Sequence, residues 1–292
     1  MSATTSVTVP YTLADALRAL AVAPHATVLA GGTDLMVEFN GGHRSANEVV
    51  VVNRVAELCS WQHDPDAGTL RLGAGVTYTQ IEQSPIAEFV PALAQAARTV
   101  GSPQIRHAAT IGGNLGTCSP AGDGLPVLSA LEAQVHLASS DAQRTLSFAD
   151  FMVGPKRTAL QPGELITGVT VPVLRGWQGY SKVGVRNAMV IAVASASLVV
   201  DLAPHDTAQR NVRLALGSVG PVILRCPEAE ALVAAEADFD TGRVRAEVVA
   251  RFAELACRAA RPIDDHRSTA EYRRHAIGIL AARLLRRAFP HE

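Results

Sequence analysis

Val28-Leu29-Ala30-Gly31-Gly32-Thr33-Asp34-Leu35 runs an apolar strand straight into two glycines, a threonine and an aspartate. Glycine reaches backbone angles closed to other residues and lets a ligand come close to the peptide groups, so successive N–H groups can converge on an anion. In form this is a phosphate cradle. On its own, a Gly-Gly pair after a strand is better explained by an ordinary turn.

A second glycine-rich stretch changes that balance. Thr110-Ile111-Gly112-Gly113-Asn114-Leu115-Gly116-Thr117 offers more peptide donors together with hydroxyl and amide side chains, and runs on to Ser119, Pro120 and Asp123. Two such segments feeding one place fit a diphosphate joined to a polyhydroxy chain, and FAD has both. Neither stretch is G-x-G-x-x-G between a strand and a helix, and neither is G-x-x-x-x-G-K-S/T, which disfavours the nicotinamide-type fingerprint and the nucleotide-hydrolysing loop. The nucleotide is therefore expected to lie along loops, not on one helix dipole. On this reading Gly32→Val crowds the diphosphate and leaves the fold largely intact.

Outward from these segments, Thr12 to Ala23 predicts a helix, with Leu13, Ala16, Leu17 and Leu20 at helical spacing and Thr12 as cap. Strands are predicted at Thr27 to Ala30 and Glu48 to Val52, making a small β-α-β-type unit, and at Thr69 to Gly73. A helical region from Thr79 to Thr99 should be bent or divided by Pro85 and Pro91. Leu125 to Leu131 reads as a helix, Gln134 to Ala138 as a strand, Phe148 to Gly154 as a short helix and Glu164 to Val171 as a strand.

Leu174 to Gly179 reads as a boundary, because Arg175-Gly176-Trp177-Gln178-Gly179 is poor helix or strand material. Beyond it, β-branched stretches at Tyr180 to Val185, Ile191 to Val200 and Asn211 to Val219 predict an antiparallel sheet, followed by helices at Cys226 to Ala235, Thr241 to Ala259 and Ser268 to Phe289. The basic residues near the end, Arg273, Arg274, His275, Arg283, Arg286, Arg287 and His291, read as a solvated face.

Composition bounds the partners. Lys plus Arg number 26 against 27 Asp plus Glu in 292 residues, so no global field attracts nucleic acid or an anionic membrane surface. A hydrophobic content of 48% supports a sizeable core, and the length suits two modest domains. Cys59, Cys118, Cys226 and Cys257 show no metal-ligand spacing, so no metal site or iron–sulfur cluster is expected on the chain itself. No targeting segment is readable at Met1 to Pro10 and no stretch is apolar enough to span a bilayer, which together read as a cytoplasmic chain.

The motifs together resemble the FAD-binding middle subunit of the molybdenum hydroxylases, the xanthine dehydrogenase and aerobic carbon monoxide dehydrogenase group. The resemblance rests on A-G-G-T-D-L at 30–35, G-S-P-Q-I-R at 101–106, T-I-G-G-N-L at 110–115, S-P-A-G-D at 119–123, G-E-L-I at 163–166 and K-V-G-V-R at 182–186. It implies an α+β fold: a two-lobed FAD-binding domain of the vanillyl-alcohol-oxidase type at 1–177, with its subdomains split near 55–65, and a C-terminal α+β domain with a small antiparallel sheet at 178–292.

The resemblance also implies roles. Ala30, Gly31, Gly32, Thr33, Asp34 and Leu35 would wrap the pyrophosphate of a noncovalent FAD, with Ala109, Thr110, Gly112, Gly113, Asn114 and Thr117 as the second loop. Asp123 would accept hydrogen bonds from ribose or ribityl hydroxyls, although a helix cap before Leu125 explains the same position. Ile166 would pack on the adenine, and Lys182 would stand near the flavin ring, where a cation favours the reduced, anionic form. Arg186 would lie on the segment edging the flavin's acceptor side. His107 stands where many relatives have Asn, and Val190 stands near a position where many carry Asp.

Electrons would arrive from 2Fe–2S clusters on a small partner, after substrate oxidation at a molybdopterin cofactor on a large partner, within a dimer of heterotrimers. No catalytic residue is assigned. The alternatives are a stand-alone flavin-dependent oxidase or reductase of a small molecule, or a noncatalytic nucleotide-binding subunit.

Overall fold

A computed structural model describes residues 5–201 and 211–290; His291, counted above with the basic residues, lies outside them. The chain opens with β1 (Ser6–Thr8), α1 (Leu13–Val22), β2 (Thr27–Leu29), α2 (Leu35–Asn40) and β3 (Glu48–Val51). Thr12 caps α1 by accepting from the Asp15 N–H, and Ala16 and Leu20 bury its inner face. The strands form a parallel sheet in the order β1-β3-β2, so the loop from Ala30 to Asp34 leaves the carboxyl end of a parallel strand, where α/β folds place ligands.

After a 3-10 turn at Ala56–Cys59 come β4 (Trp61–Asp64), β5 (Thr69–Gly73), α3 (Tyr78–Ile81), α4 (Ile86–Phe89), α5 (Pro91–Thr99), α6 (Pro103–Ala108), α7 (Ile111–Thr117) and α8 (Gly124–Ala130). Pro85 and Pro91 divide the expected long helix into α3, α4 and α5, since proline lacks the N–H that would continue the ladder. Next follow β6 (Gln134–Ala138), β7 (Gln143–Ser147), α9 (Phe148–Phe151), β8 (Met152–Gly154), β9 (Arg157–Thr158) and β10 (Leu165–Pro172). An antiparallel sheet, β4-β5-β10-β6-β7, carries the helices on a core that includes Leu72, Tyr78, Leu93, Ile111, Leu115 and Leu128.

The remainder comprises β11 (Gly176–Val183), β12 (Ala194–Asp201), β13 (Asn211–Gly217), β14 (Leu224–Arg225), α10 (Pro227–Glu236), α11 (Ala246–Ala259) and α12 (Ala270–Ala288), with antiparallel order β11-β12-β13-β14. Side chains alternate across β12: Ala194, Ala196, Leu198 and Val200 enter a core with Phe252, Ile277 and Leu284, whereas Val199 joins the core of the preceding residues. This central strand is buried on both faces. Among the described residues no helix is long and apolar enough to cross a membrane.

Several local expectations are overturned. The stretch read as poor helix or strand material opens β11, with Gly176 opposite Asp201 and Gly179 opposite Leu198. Pairing to a long apolar neighbour outweighs weak local propensity, and the Trp177 ring lies over Gly179, where a Cβ would displace it. The predicted helix at Phe148 to Gly154 is one short turn followed by β8. Arg273 is not solvated: it is 4% exposed, donates to the carbonyls of Val193 (2.7 Å) and Ser218 (3.0 Å), and pairs with Asp265 at 2.6 Å.

Candidate functional site

The fold brings the two glycine-rich segments into contact. A Cβ on Gly31 would overlap the carbonyl oxygen of Ala108, and Thr117 Oγ1 donates to Asp34 Oδ2 at 3.2 Å. Residues 109–112 in turn run beside 74–78: the Tyr78 N–H donates to the Ala109 carbonyl, Ile111 to Val76 and Gly112 to Ala74. Gly112 has no room for a side chain, since a Cβ would sit 2.6 Å from the Ala74 carbonyl oxygen. Gly31 and Gly112 are thus glycines because backbone packs on backbone.

Tracing every peptide donor separates the segments. Among the described residues, the consecutive N–H groups of Gly31, Gly32, Thr33, Asp34 and Leu35 meet no protein acceptor. In the second segment the donors of 111–114 are used: Ile111 and Gly112 donate to the strand edge, Gly113 to Thr110 Oγ1 at 2.9 Å and Asn114 to the Thr110 carbonyl at 3.0 Å. Thr110 is the N-cap of α7, so the stretch expected to be a donor-rich loop is a helix whose first turn is already satisfied. The anion-binding form belongs to 31–35.

Gly32 sits at φ +70, and a Cβ there would meet Met36 and Leu29 at 3.1 and 3.3 Å. Gly32→Val is therefore strained whatever binds, and cannot leave the fold untouched. Ala30, Thr33 and Leu35 are half-buried beside it, and Asp34 is exposed at the start of α2. Ala109, 8% exposed, donates its N–H to the Ile105 carbonyl at 2.7 Å.

One helical face is open. A Cβ on Gly113 would meet only Thr110 Oγ1 at 3.1 Å, and one on Gly116 only Ile166 Cδ1 at 3.7 Å, an ordinary contact. A flat group lying on Ile166 has space over Gly116 that any larger residue would fill. The Asn114 side chain supports this wall by accepting from Tyr78 OH at 2.7 Å.

Asp123 and Lys182 are both about nine-tenths buried and pair at 2.7 Å. Asp123 also accepts from Tyr180 OH at 2.7 Å, while Lys182 Nζ donates further to the carbonyls of Thr99 (2.8 Å) and Val190 (3.0 Å). An ammonium has three donors, and these acceptors take all of them. Burial pushes the Asp123 carboxyl upward, against the pull of Lys182 and its hydroxyl neighbours, and burial likewise pushes Tyr180 up. Asp123 has helical backbone angles and makes no capping bond to α8, which removes the cap explanation. Tyr180 stands two residues before Lys182 on the same strand face, a signal the sequence did contain. Arg186 folds back on the carbonyls of Ala188 and Met189.

One cation escaped sequence reasoning. Lys156, in the turn between β8 and β9, places its ammonium 2.6 Å from Glu38 Oε1 on α2. Nothing in its local sequence marks it.

Comparison with known proteins identifies the class. Residues 3–174 match the family described as the FAD binding domain in molybdopterin dehydrogenase, and residues 180–288 match the CO dehydrogenase flavoprotein C-terminal domain. The chain belongs to that family: it is an FAD-binding flavoprotein subunit of the molybdenum hydroxylase oxidoreductases. Among its relatives, the glyceraldehyde dehydrogenase medium chain of Sulfolobus acidocaldarius is 31% identical over 92% of both chains. The putative xanthine dehydrogenase FAD-binding subunit of Escherichia coli is 27% identical over 95% of this chain and 93% of its own. Among solved structures, carbon monoxide dehydrogenase from Hydrogenophaga pseudoflava superposes with a TM-score of 0.88 at 26% identity, covering 98% of this chain and 97% of that one.

Proposed function

We propose that this chain is the electron-transfer subunit of a cytoplasmic molybdenum-containing dehydrogenase. It takes electrons from 2Fe–2S clusters on a small partner and passes them to an external acceptor, while a large partner carries molybdopterin and oxidises the substrate. The medium-chain relatives support such partners, and we assign the assembly as a dimer of heterotrimers. Residues 1–177 form the FAD-binding domain, its subdomains meeting near 55–65, and residues 178–292 the C-terminal domain.

The residues fit FAD. The observation that carries this reading is the run of peptide donors from Gly31 to Leu35 that meet no acceptor among the described residues, which suits the oxygens of a diphosphate. Ala30, Thr33, Asp34 and Leu35 line that run, and Ala109, Thr110, Gly112 and Asn114 brace it from the second segment. Gly113, Gly116 and Ile166 leave the slot for adenine. Thr117 holds Asp34 in place, and Asp123, with Lys182 as its counter-ion, keeps lone pairs for sugar hydroxyls at the edge of the buried seam. When bound, FAD supplies the exchange between one-electron and two-electron carriers.

The test is spectroscopic. Purified full-length chain should carry, or take up, flavin whose visible absorbance bleaches with dithionite and whose cofactor is released intact on denaturation. A chain that stays colourless after FAD is added contradicts the reading.

A further inference from the structure

We infer that Lys156 is a binding residue for the dinucleotide's diphosphate, held ready by Glu38; the inference rests on the FAD reading above and adds a cation to the peptide cradle. Its place follows from the backbone. The Lys156 N–H donates to the Cys118 carbonyl at 3.0 Å and Cys118 Sγ donates to the Arg157 carbonyl at 3.5 Å, fixing the turn to the end of α7. There Thr117 grips Asp34, inside the 31–35 run. Glu38 stands one helical turn beyond Asp34 on the same face of α2, so its partner ammonium is beside the cradle. The Glu38 hydrogen bond, and further off the Asp34 charge, hold the Lys156 ammonium above the ordinary lysine range.

A staple between the β8–β9 turn and α2 does not account for a lysine here. The Lys156 side chain is 57% exposed, and ion pairs that open to water contribute roughly 0–1 kcal/mol. Arg44 also approaches Glu38, at 3.8 Å, so the carboxylate has a second counter-ion when Lys156 moves away. Moreover Lys156 has φ +53, a left-handed angle that glycine adopts freely and a lysine adopts at a cost. The turn itself favours glycine, and a ligand is a reason to keep the cation. A diphosphate seated on 31–35 brings two negative charges next to Asp34, whereas the peptide groups offer only partial positive charge. Lys156 offsets one of these charges with a mobile cation that exchanges one Glu38 oxygen for a phosphate oxygen.

The experiment titrates FAD into apo full-length chain by fluorescence at low and high salt, beside thermal melts of the apo forms. Lys156→Gly relaxes the turn and removes the charge. Its apo melting temperature should equal or exceed the parent's, while FAD binds about tenfold more weakly, the low end for a charged hydrogen bond, and with a shallower salt dependence. Lys156→Arg should restore most of the affinity, and Glu38→Gln, which keeps the cation, should bind FAD at least as tightly as the parent. Parent-like affinity in Lys156→Gly overturns the inference. So does an equal loss in Glu38→Gln, because the ion pair and not the cation would then be what matters. Failure of the parent chain itself to bind FAD would instead sink the reading on which the inference rests.

Discussion

The segments 30–35 and 110–117 are written in nearly the same vocabulary, Ala-Gly-Gly-Thr-Asp and Thr-Ile-Gly-Gly-Asn, and the fold uses them in opposite ways. In the first, the peptide donors of 31–35 meet no acceptor among the described residues; in the second, those of 111–114 are spent on a neighbouring strand and on the Thr110 cap. The first is free to receive an anion, as proposed, and the second packs against it. Glycine serves two ends here, and only the destination of each N–H tells them apart. Gly32 turns the chain at φ +70, whereas Gly112 lets α7 press on Ala74.

This contrast can be broken by substitution, and the largest effect lies behind the second segment. Lys182→Met leaves the Asp123 carboxylate buried without its counter-ion, which should cost about 3–5 kcal/mol in denaturant unfolding of the apo chain. A variant as stable as the parent would remove the seam from the account. Gly31→Ala comes next: its Cβ overlaps the Ala108 carbonyl at the end of α6, so the first segment must move off the chain that leads into the second, at about 2–3 kcal/mol and with loss of flavin. Retained flavin in that variant would mean that contact between the segments is dispensable.

Smaller effects sharpen the same contrast. Thr110→Ala removes the cap of α7 and should cost about 1 kcal/mol, with flavin affinity falling only as far as the wall loosens. Gly116→Leu has the smallest effect on the fold, because a Cβ there meets only Ile166 Cδ1. Its apo unfolding should match the parent within about 0.5 kcal/mol, while the filled slot abolishes FAD binding at micromolar protein. A destabilised apo variant would show that the space over Ile166 is not open.

Much of the architecture was legible because its signals are local. The Thr12 cap with Leu13, Ala16, Leu17 and Leu20 gives α1, the prolines at 85 and 91 cut the next helical stretch, and alternation gives β5 and β6 at their observed limits. The helix at 111–117 was hidden, since its glycines oppose helix formation and its support comes from docking against 74–76 and one cap. The first half of β11, Gly176 to Gly179, was hidden for the same kind of reason, its order coming from pairing with β12. The glycines of the two segments stand out in the sequence, but the environment of Asp123 is built by Tyr180 and Lys182, far along the chain. Arg273 read as one of several surface cations and is the buried tie between α12 and the strand ends. Contacts across such separations leave no periodic trace.

Amide hydrogen exchange reads the peptide N–H groups of 31–35 and 111–114 one segment at a time. With apo and FAD-loaded chain compared by mass spectrometry, amides of 31–35 should exchange rapidly in the apo form and become protected by FAD, while those of 111–114 are protected in both. New protection confined to 111–117, with 31–35 unchanged on flavin binding, would contradict the diphosphate cradle at 31–35.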